Sequence, residues 1–148
     1  MPRASQRLPL ATYVRLERAA NTARAHASQH LGDSRLTLTQ FAVLEALHHL
    51  GPMSLSDIAG KVLTTGGNLT MVAGNLERDG LVRRQRSPED KRVQIVALTT
   101  KGKALIRLIF PVHASAIAEF MKVLNADELK QLGELCRKLG KQEPARRS

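Results

Sequence analysis

The sequence is poor in aromatic residues and in cysteine: it has no Trp, one Tyr, three Phe and a single thiol, Cys136. One cysteine cannot form an internal disulfide, and without CxxC spacing it indicates neither a zinc site nor a redox motif. Cys136 falls in a helical row with Leu129, Leu132 and Leu139, which favours packing over chemistry. The lack of aromatic side chains also argues against a protein that binds membrane surfaces, because such proteins are anchored by Trp, Tyr or Phe.

Long apolar runs are also missing. No stretch approaches the roughly 18 uninterrupted apolar residues of a membrane-spanning helix. The N-terminal MPRASQRLPL is basic, but the long apolar run of a signal peptide does not follow it. We therefore expect a cytoplasmic protein with no membrane partner.

The motifs of common catalytic and nucleotide-binding sites are absent from the sequence. It contains no GxSxG, HExxH, GxGxxG or GxxxxGK[ST] motif, and nothing places a nucleophile beside a base. An enzyme is therefore the less favoured class of protein. We predict no catalytic residues and no cofactor.

The five histidines are the candidate metal ligands. His26 and His30 have i, i+4 spacing and would share one face of a helix, while His48, His49 and His113 lie elsewhere. Two histidines on one face are more often surface or packing residues than a zinc site, so we predict no metal site. The alternative for all five histidines is a position in the wall of a ligand pocket.

The charge balance is strongly basic. The 148 residues include 23 Lys and Arg against 13 Asp and Glu, which gives a net charge of +10 and a pI of about 10.7. With 43% hydrophobic residues, the chain has the size and composition of one compact domain. A basic surface of this kind attracts polyanions, and we take nucleic acid as the leading partner.

Helical spacing and capping signals predict three helices in the first part of the chain. The first covers residues 10–31. Thr37 and Gln40 form the capping box of the second helix, and Ser54 and Asp57 repeat the device for a short third helix. The inward residues of the third helix are predicted to be Leu55, Ile58, Ala59 and Val62.

The stretch TTGGNLTMVAGNLERDGLV, residues 64–82, predicts a fourth helix that opens with two glycines. With Thr65 as the N-cap, Gly66 and Gly67 fall in the first turn, where backbone N–H groups have no intrahelical partner. Glycines leave these N–H groups open to a phosphate oxygen and let the helix tip enter a major groove. The alternative is a flexible connection between two helices. The inward stripe of this helix, with its C-terminal glycine, is Leu69, Val72, Ala73, Leu76 and Gly80.

Two strand-like segments, LVRRQR and VQIVAL, flank the turn SPEDKR and predict a β-hairpin. An Arg at the tip of such a hairpin suits a narrow minor groove, where the potential is most negative. A solvated charged turn is the alternative, but it is less favoured for a cluster beside a helix-turn-helix. Glu89 and Asp90 oppose a larger basic set, namely Arg83, Arg84, Arg86, Lys91 and Arg92.

The helical period resumes at Thr100 and predicts two further helices. Pro111 is expected to kink the fifth helix, because proline removes one backbone donor and crowds the preceding turn. Asn125 and Glu128 cap a sixth helix that runs toward Gly140. A frayed basic tail follows it.

Three short motifs, NLERDGLV, PEDKR and LTTKG, follow one another over residues 75–102. With the sequence around them, residues 36–105, they closely resemble the MarR family of bacterial transcriptional regulators. The resemblance implies a mainly α, winged helix-turn-helix fold with about six helices and a two- or three-stranded wing. It also implies a homodimer. The implied organisation is one domain, residues 1–148, with a DNA-binding core at 34–100, dimerisation helices at 8–33 and 100–141, and the basic tail at 142–148.

The resemblance also implies roles for individual residues. Thr65 would cap the recognition helix, Asp90 would orient the wing through a salt bridge, and Arg92 would enter the minor groove. Arg86 and Lys91 are further DNA-binding candidates, because they belong to the same basic cluster. The residues that would face the major groove are Gly67, Asn68, Thr70, Met71 and Asn75.

Departures from the family pattern put base preference in doubt. Where relatives often have Arg, this chain has Gly66, Met71 and Asn75, and Gly74 replaces a frequent Asp. The base preference of relatives therefore cannot be transferred to this chain.

The expected function is a transcriptional regulator that binds double-stranded DNA sequence-specifically, as a ligand-responsive repressor. A homodimer would bind a pseudopalindromic operator with half-sites ~34 Å apart. By analogy alone, a small aromatic or lipophilic effector would bind between the first, second and fifth helices. The alternative is an architectural or RNA-binding protein that uses the same charge without sequence choice.

Overall fold

The computed structural model describes residues 1–62 and 69–142. Within them the chain forms six α-helices and a three-stranded antiparallel sheet, which confirms the mainly α, winged architecture. The helices are α1 (Ala4–Gln29), α2 (Leu38–Leu50), α3 (Leu55–Lys61), α4 (Leu69–Arg78), α5 (Thr100–Met121) and α6 (Ala126–Gly140). The strands are β1 (Met53–Ser54), β2 (Val82–Arg86) and β3 (Gln94–Leu98), and a 3₁₀ turn covers Gly32–Ser34.

Of the three capping boxes predicted from the sequence, those of α2 and α6 are complete, while at α3 only the bond from Asp57 N to Ser54 Oγ, 3.1 Å, is formed. In α2, Gln40 N donates to Thr37 Oγ1 at 3.1 Å and Thr37 N donates to Gln40 Oε1 at 2.9 Å, so both members of the capping box are satisfied. The Asn125 side chain caps α6 in the same way, with Glu128 N donating to Asn125 Oδ1 at 2.9 Å. These local hydrogen bonds fix where the two helices begin.

The predicted start of the first helix is wrong. α1 begins at Ala4 rather than at residue 10 and continues through Pro9. The side chain of Gln6 accepts a hydrogen bond from Arg3 N at 2.9 Å, which satisfies a backbone donor that the helix itself leaves free. α5 also continues as one helix through Pro111, and the kink expected there stays a prediction.

The sheet has the order β1-β3-β2, so β2 is an edge strand. Val82 pairs with Leu98 and Met53 pairs with Val96. Val82, Val96 and Leu98 are buried, which places the inner face of the sheet against the helices. The wing is the β-hairpin formed by β2, β3 and the turn at residues 87–93 between them.

The hydrophobic core lies under α2. Phe41, Leu44 and Leu47 of α2 pack with Ile106 of α5 and Leu76 of α4. On α3, Ile58 and Val62 are buried, but Ala59 is exposed. The inward position predicted for Ala59 is therefore wrong, because successive helical residues are rotated by about 100° and a short helix buries one narrow stripe.

The C-terminus of α4 closes with a left-handed glycine, as predicted. Gly80 has φ +75°, and two hydrogen bonds complete the closing turn, from Gly80 N to Glu77 O at 3.0 Å and from Leu81 N to Leu76 O at 2.9 Å. Both bonds satisfy carbonyl groups at the end of the helix. The chain therefore passes from α4 into β2 through a defined turn.

The LTTKG motif anchors α5 on this turn. Thr99 Oγ1 donates to Gly80 O at 2.6 Å and accepts from Gly102 N at 3.0 Å, while Thr99 N donates to Leu81 O at 3.1 Å. A Cβ atom at Gly102 would lie 2.0 Å from Leu81 O. The first turn of α5 thus packs directly against the backbone that follows α4, and glycine is required for this approach.

Apolar side chains remain exposed on α5 and α6. By length and composition α5 is the one described helix that could cross a membrane, but its Ile106 and Ile109 are core residues while Leu108 and Val112 are exposed. None of the α6 residues, all of which are described, is buried. These two helices therefore present apolar surface that one chain leaves uncovered.

We predict that Gly102→Ala lowers the free energy of unfolding by about 3 kcal/mol, because the new methyl group overpacks against the Leu81 carbonyl. Gly133→Ala is the control, since no atom lies within 4 Å of a Cβ there, and in α6 it should stabilise by about 0.5–1 kcal/mol. Urea denaturation at one fixed protein concentration measures both values. Equal stability of Gly102→Ala and wild type would contradict the close approach.

Candidate nucleic-acid interface

The described part of α4 has one inward and one outward side. Ala73 and Leu76 are buried and Leu69 and Val72 are half-buried, as predicted. Met71 is 60% exposed. Of the other predicted groove residues, Thr70 is exposed and Asn75 is half-buried. The outer side of α4 therefore carries mainly short polar groups and a flexible thioether, with Arg78 as an exposed charge in the last turn.

The start of the glycine-led stretch lies outside the described residues. Thr65, Gly67 and Asn68 belong to this part of the chain, as does Gly66. Their proposed roles in capping α4 and in approaching DNA stay predictions.

The wing turn is held by a salt bridge between Asp90 and Arg92. Arg92 Nε and Nη2 donate to the two carboxylate oxygens of Asp90 at 3.1 and 3.2 Å, and Arg92 N donates to Asp90 Oδ1 at 3.0 Å. These hydrogen bonds, the side-chain bond first, lower the pKa of the Asp90 carboxyl. Asp90 therefore orients the Arg92 guanidinium. Because the Arg92 side chain is 91% exposed, the guanidinium is still open to an anion.

The turn itself is closed by backbone bonds. Ser87 N donates to Val93 O at 2.7 Å and Val93 N donates to Asp90 O at 2.9 Å. Lys91 lies between the members of the salt bridge and is exposed, as are Arg83 and Arg86 on β2. The wing thus presents several cations on a short, closed hairpin.

Arg84 differs from the other basic residues of the hairpin. Its guanidinium Nη2 donates to Glu77 Oε1 at 3.1 Å and its backbone N donates to Glu77 Oε2 at 3.1 Å. The side-chain hydrogen bond from Arg84 is the largest cause that lowers the pKa of the Glu77 carboxyl. Sequence analysis missed this contact and grouped Arg84 with the surface cations. The available signal was an acid in the last turn of α4, seven residues before an Arg on the next strand.

The C-terminus of α4 carries a second cation contact. Lys101 Nζ donates to the carbonyl oxygen of Asp79 at 2.8 Å. A cation at this end of a helix is stabilised by the helix dipole and by the unpaired carbonyl groups. Lys101 of the LTTKG motif therefore supports the orientation of α4 rather than adding to the free surface charge.

A cavity of about 580 Å³ lies between α1, α2, α3 and α5. The polar residues in its wall are Arg24, Glu45, His49, Lys61 and His113, and most of the remaining wall is apolar. Lys61 and Val62 stand at the end of α3, directly before the undescribed residues that lead to α4. The cavity wall therefore includes the segment that leads into the outward-facing helix.

Of the five histidines, His49 and His113 line this cavity. His113 Nδ1 lies 3.3 Å from His30 Nε2, and the His113 ring centroid lies 4.5 Å from that of Phe41. Burial is the largest cause that lowers the pKa of His113, which favours the neutral imidazole. His30 contacts His113 rather than pairing with His26, whose ring packs on Phe120. In the part of the chain that the structure describes, no group of three His, Cys, Asp or Glu side chains is arranged to hold a metal ion.

Comparison with known proteins places this geometry in a family. The MarR family model matches residues 36–93. The HTH-type transcriptional regulator MhqR of Bacillus subtilis (strain 168) is 37% identical over 131 residues, which cover 88% of this chain and 90% of that protein.

Two solved structures have the same fold. BpsR of Bordetella bronchiseptica, in a structure that concerns regulation of its DNA binding by 6-hydroxynicotinic acid, is 31% identical with a TM-score of 0.77, over 86% of this chain and 91% of that one. Sco3205, a MarR family transcriptional regulator from Streptomyces coelicolor solved in complex with DNA, is 25% identical with a TM-score of 0.82, over 98% and 92% of the two chains. These similarities support a regulator and not an enzyme.

Proposed function

The chain belongs to the MarR family, and we propose that it is a sequence-specific DNA-binding repressor that acts as a homodimer and responds to a small ligand. The observation that carries the proposal is the joining of two surfaces: the outer side of α4 and the cationic wing are held together by the Glu77–Arg84 contact. A helix and a β-hairpin fixed side by side suit a major groove and the minor groove next to it. Such a protein would act in the cytoplasm.

Base recognition is assigned to α4. Asn75 has an amide suited to an adenine edge, Thr70 suits a thymine methyl group or a phosphate, and Met71 suits apolar contact. Thr65, Gly67 and Asn68, before the described part of α4, complete the proposed surface.

Affinity is assigned mainly to the wing. Arg86 and Lys91 are exposed and would contact phosphates, while Arg92 would enter the minor groove in the orientation that Asp90 holds. Phosphate contacts fix position and strength of binding but carry no base information.

A second copy of the chain is the proposed occupant of the groove between α1 and α6. This groove has a volume of about 620 Å³ and is lined mostly by apolar side chains, including Tyr13, Leu16, Leu132, Leu135 and Leu139. Tyr13, Leu135 and Leu139 are each half exposed or more. A symmetric dimer would cover this apolar surface on both chains and would place two α4 helices on the two halves of a pseudopalindrome.

The cavity between α1, α2, α3 and α5 is the proposed effector site. Its apolar walls suit an aromatic or lipophilic molecule, and Arg24, Lys61 and His113 offer polar contacts. Because Lys61 and Val62 precede α4, a bound molecule would act on the position of α4. The relative BpsR, with its 6-hydroxynicotinic acid, provides a first compound to test.

The alternative, an architectural protein without sequence choice, is separated from this proposal by competition binding. We expect the intergenic duplex upstream of the gene to compete at least about 10³-fold better than a random duplex of equal length. Arg92→Ala should weaken binding to both duplexes and reduce the salt slope by about one. Asn75→Ala should change base preference at constant slope, because it removes an amide and no charge. Equal competition by the random duplex would reject a sequence-specific repressor.

The dimer is tested by a charge placed in the α1–α6 groove. Leu135→Glu should give a monomer and abolish operator binding, because an unpaired carboxylate cannot be buried at low cost. Gln131→Glu is the matched control, since it adds the same charge on α6 at a residue that does not line the groove. Light scattering measures the mass of each variant. A monomeric wild-type protein at operator-binding concentrations would defeat the homodimer.

The effector site is tested by filling the cavity. Ala46→Leu places three more carbons in the cavity wall, and we expect it to keep operator binding but to lose the response to ligand. The exposed residue Ala118 provides the control variant Ala118→Leu. A panel of small aromatic acids and phenols, with 6-hydroxynicotinic acid first, is titrated into the protein–DNA complex, where we expect wild-type affinity to fall about tenfold or more. Equal release from Ala46→Leu would place the effector elsewhere.

A further inference from the structure

We propose that Glu77 is a positioning residue for DNA recognition, which acts through Arg84 to fix the wing relative to α4. This inference rests on the proposed function, because it concerns how the two DNA-contacting surfaces are held together. Glu77 itself would not contact DNA.

The Glu77 carboxylate forms two hydrogen bonds with Arg84. One carboxylate oxygen of Glu77 accepts from the Arg84 backbone N and the other accepts from the Arg84 guanidinium, both at 3.1 Å. A single-point surface ion pair permits rotation and contributes little to stability. Two simultaneous bonds to backbone and side chain restrict both the position and the direction of the strand.

Arg84 lies on β2, which is an edge strand of the sheet. β2 pairs with β3 on one side, and it ends the sheet order β1-β3-β2. An edge strand has backbone donors that the sheet does not use, and Glu77 occupies the one at Arg84. The wing is therefore attached to α4 along its free edge.

The Glu77–Arg84 contact connects α4 and β2 a second time. α4 is already joined to β2 through the turn at Gly80, where Leu81 N donates to Leu76 O at 2.9 Å. Other contacts also hold this inner end of the hairpin, because Thr99 N donates to Leu81 O and Val82 is buried. The Glu77–Arg84 contact lies two residues farther along β2 than Val82, toward the wing turn, and there it fixes the strand to α4.

The Arg84 guanidinium lies beside Gly74. A Cβ atom at this position would lie 3.9 Å from Arg84 Nη2, which is ordinary contact distance, so the Arg84 side chain extends along α4 past both Glu77 and Gly74. The side chain of Arg84 is 24% exposed, against 91% for Arg92. Arg84 is thus committed to α4, whereas Arg92 remains open to DNA.

The test uses two variants that remove the same charge. Glu77→Ala and Glu89→Ala each remove one carboxylate, but Glu89 is exposed and its side chain forms no ion pair with any residue that the structure describes. Both should therefore strengthen binding to a random duplex equally. Glu77→Ala alone should lower the ratio of operator to random affinity, by about tenfold, because a mobile wing and α4 no longer match one half-site.

A double-mutant cycle assigns the effect to the contact. Arg84→Ala should lower the same ratio, and Glu77→Ala/Arg84→Ala should lower it no further than the single variants, because both remove one interaction. Glu77→Gln, which keeps an acceptor at this position, should restore part of the discrimination. Thermal melting of each variant, compared with wild type, provides the measure of whether stability has changed.

Three outcomes decide the inference. The inference is supported if Glu77→Ala has a lower ratio of operator to random affinity and an unchanged melting temperature, while Glu89→Ala keeps the wild-type ratio. Wild-type discrimination in Glu77→Ala, or fully additive losses in the double variant, overturns it while leaving the proposed function intact. A wild-type protein that does not discriminate between the duplexes overturns the proposed function, and the inference falls with it.

Discussion

The backbone contact between Gly102 and Leu81 determines how the parts of this protein are arranged. The carbonyl oxygen of Leu81 occupies the space where any other residue at position 102 would have a Cβ atom, and it also accepts the Thr99 backbone N–H. The end of α4, the start of β2 and the first turn of α5 therefore meet within a few ångströms. This junction joins α5 directly to the end of α4 and the start of β2, so the helix that leads toward the proposed dimer contacts begins against the elements that carry the proposed DNA contacts.

Two carboxylates of this small basic protein orient cations of the wing. Asp90 holds Arg92 and Glu77 holds Arg84, although the chain has far fewer acids than bases. The two pairs have different consequences. The Asp90–Arg92 pair leaves the guanidinium exposed, which pre-orients a charge at low entropic cost. The Glu77–Arg84 pair uses its charge internally and converts a basic residue of the hairpin into a structural one.

Features that depend on neighbours in the chain were predictable from the sequence, and features that depend on packing between elements were not. The Thr37–Gln40 box and the Gly80 turn each require a few consecutive residues, and both were predicted correctly. The partner of Arg84 was not, because composition treats every base of a hairpin alike and the choice depends on β2 lying beside α4. For the same reason His30 was grouped with His26, although its ring contact is with His113 of α5. In the proposed site, the outward positions of Thr70 and Met71 followed from helical periodicity, while the part that precedes Leu69 remains a prediction.

The distance in sequence between the α1–α6 groove and the α4–wing surface has a genetic consequence. In the proposed homodimer, a substitution in α4 leaves Leu16, Leu132 and Leu135 unchanged, so the altered subunit still associates with intact subunits. A cell that carries both alleles would then hold mixed dimers with one impaired half, and the pool of fully intact dimers would fall faster than the share of intact subunits. Alleles altered in α4 would therefore be dominant over wild type, whereas alleles that disrupt the α1–α6 groove would be recessive.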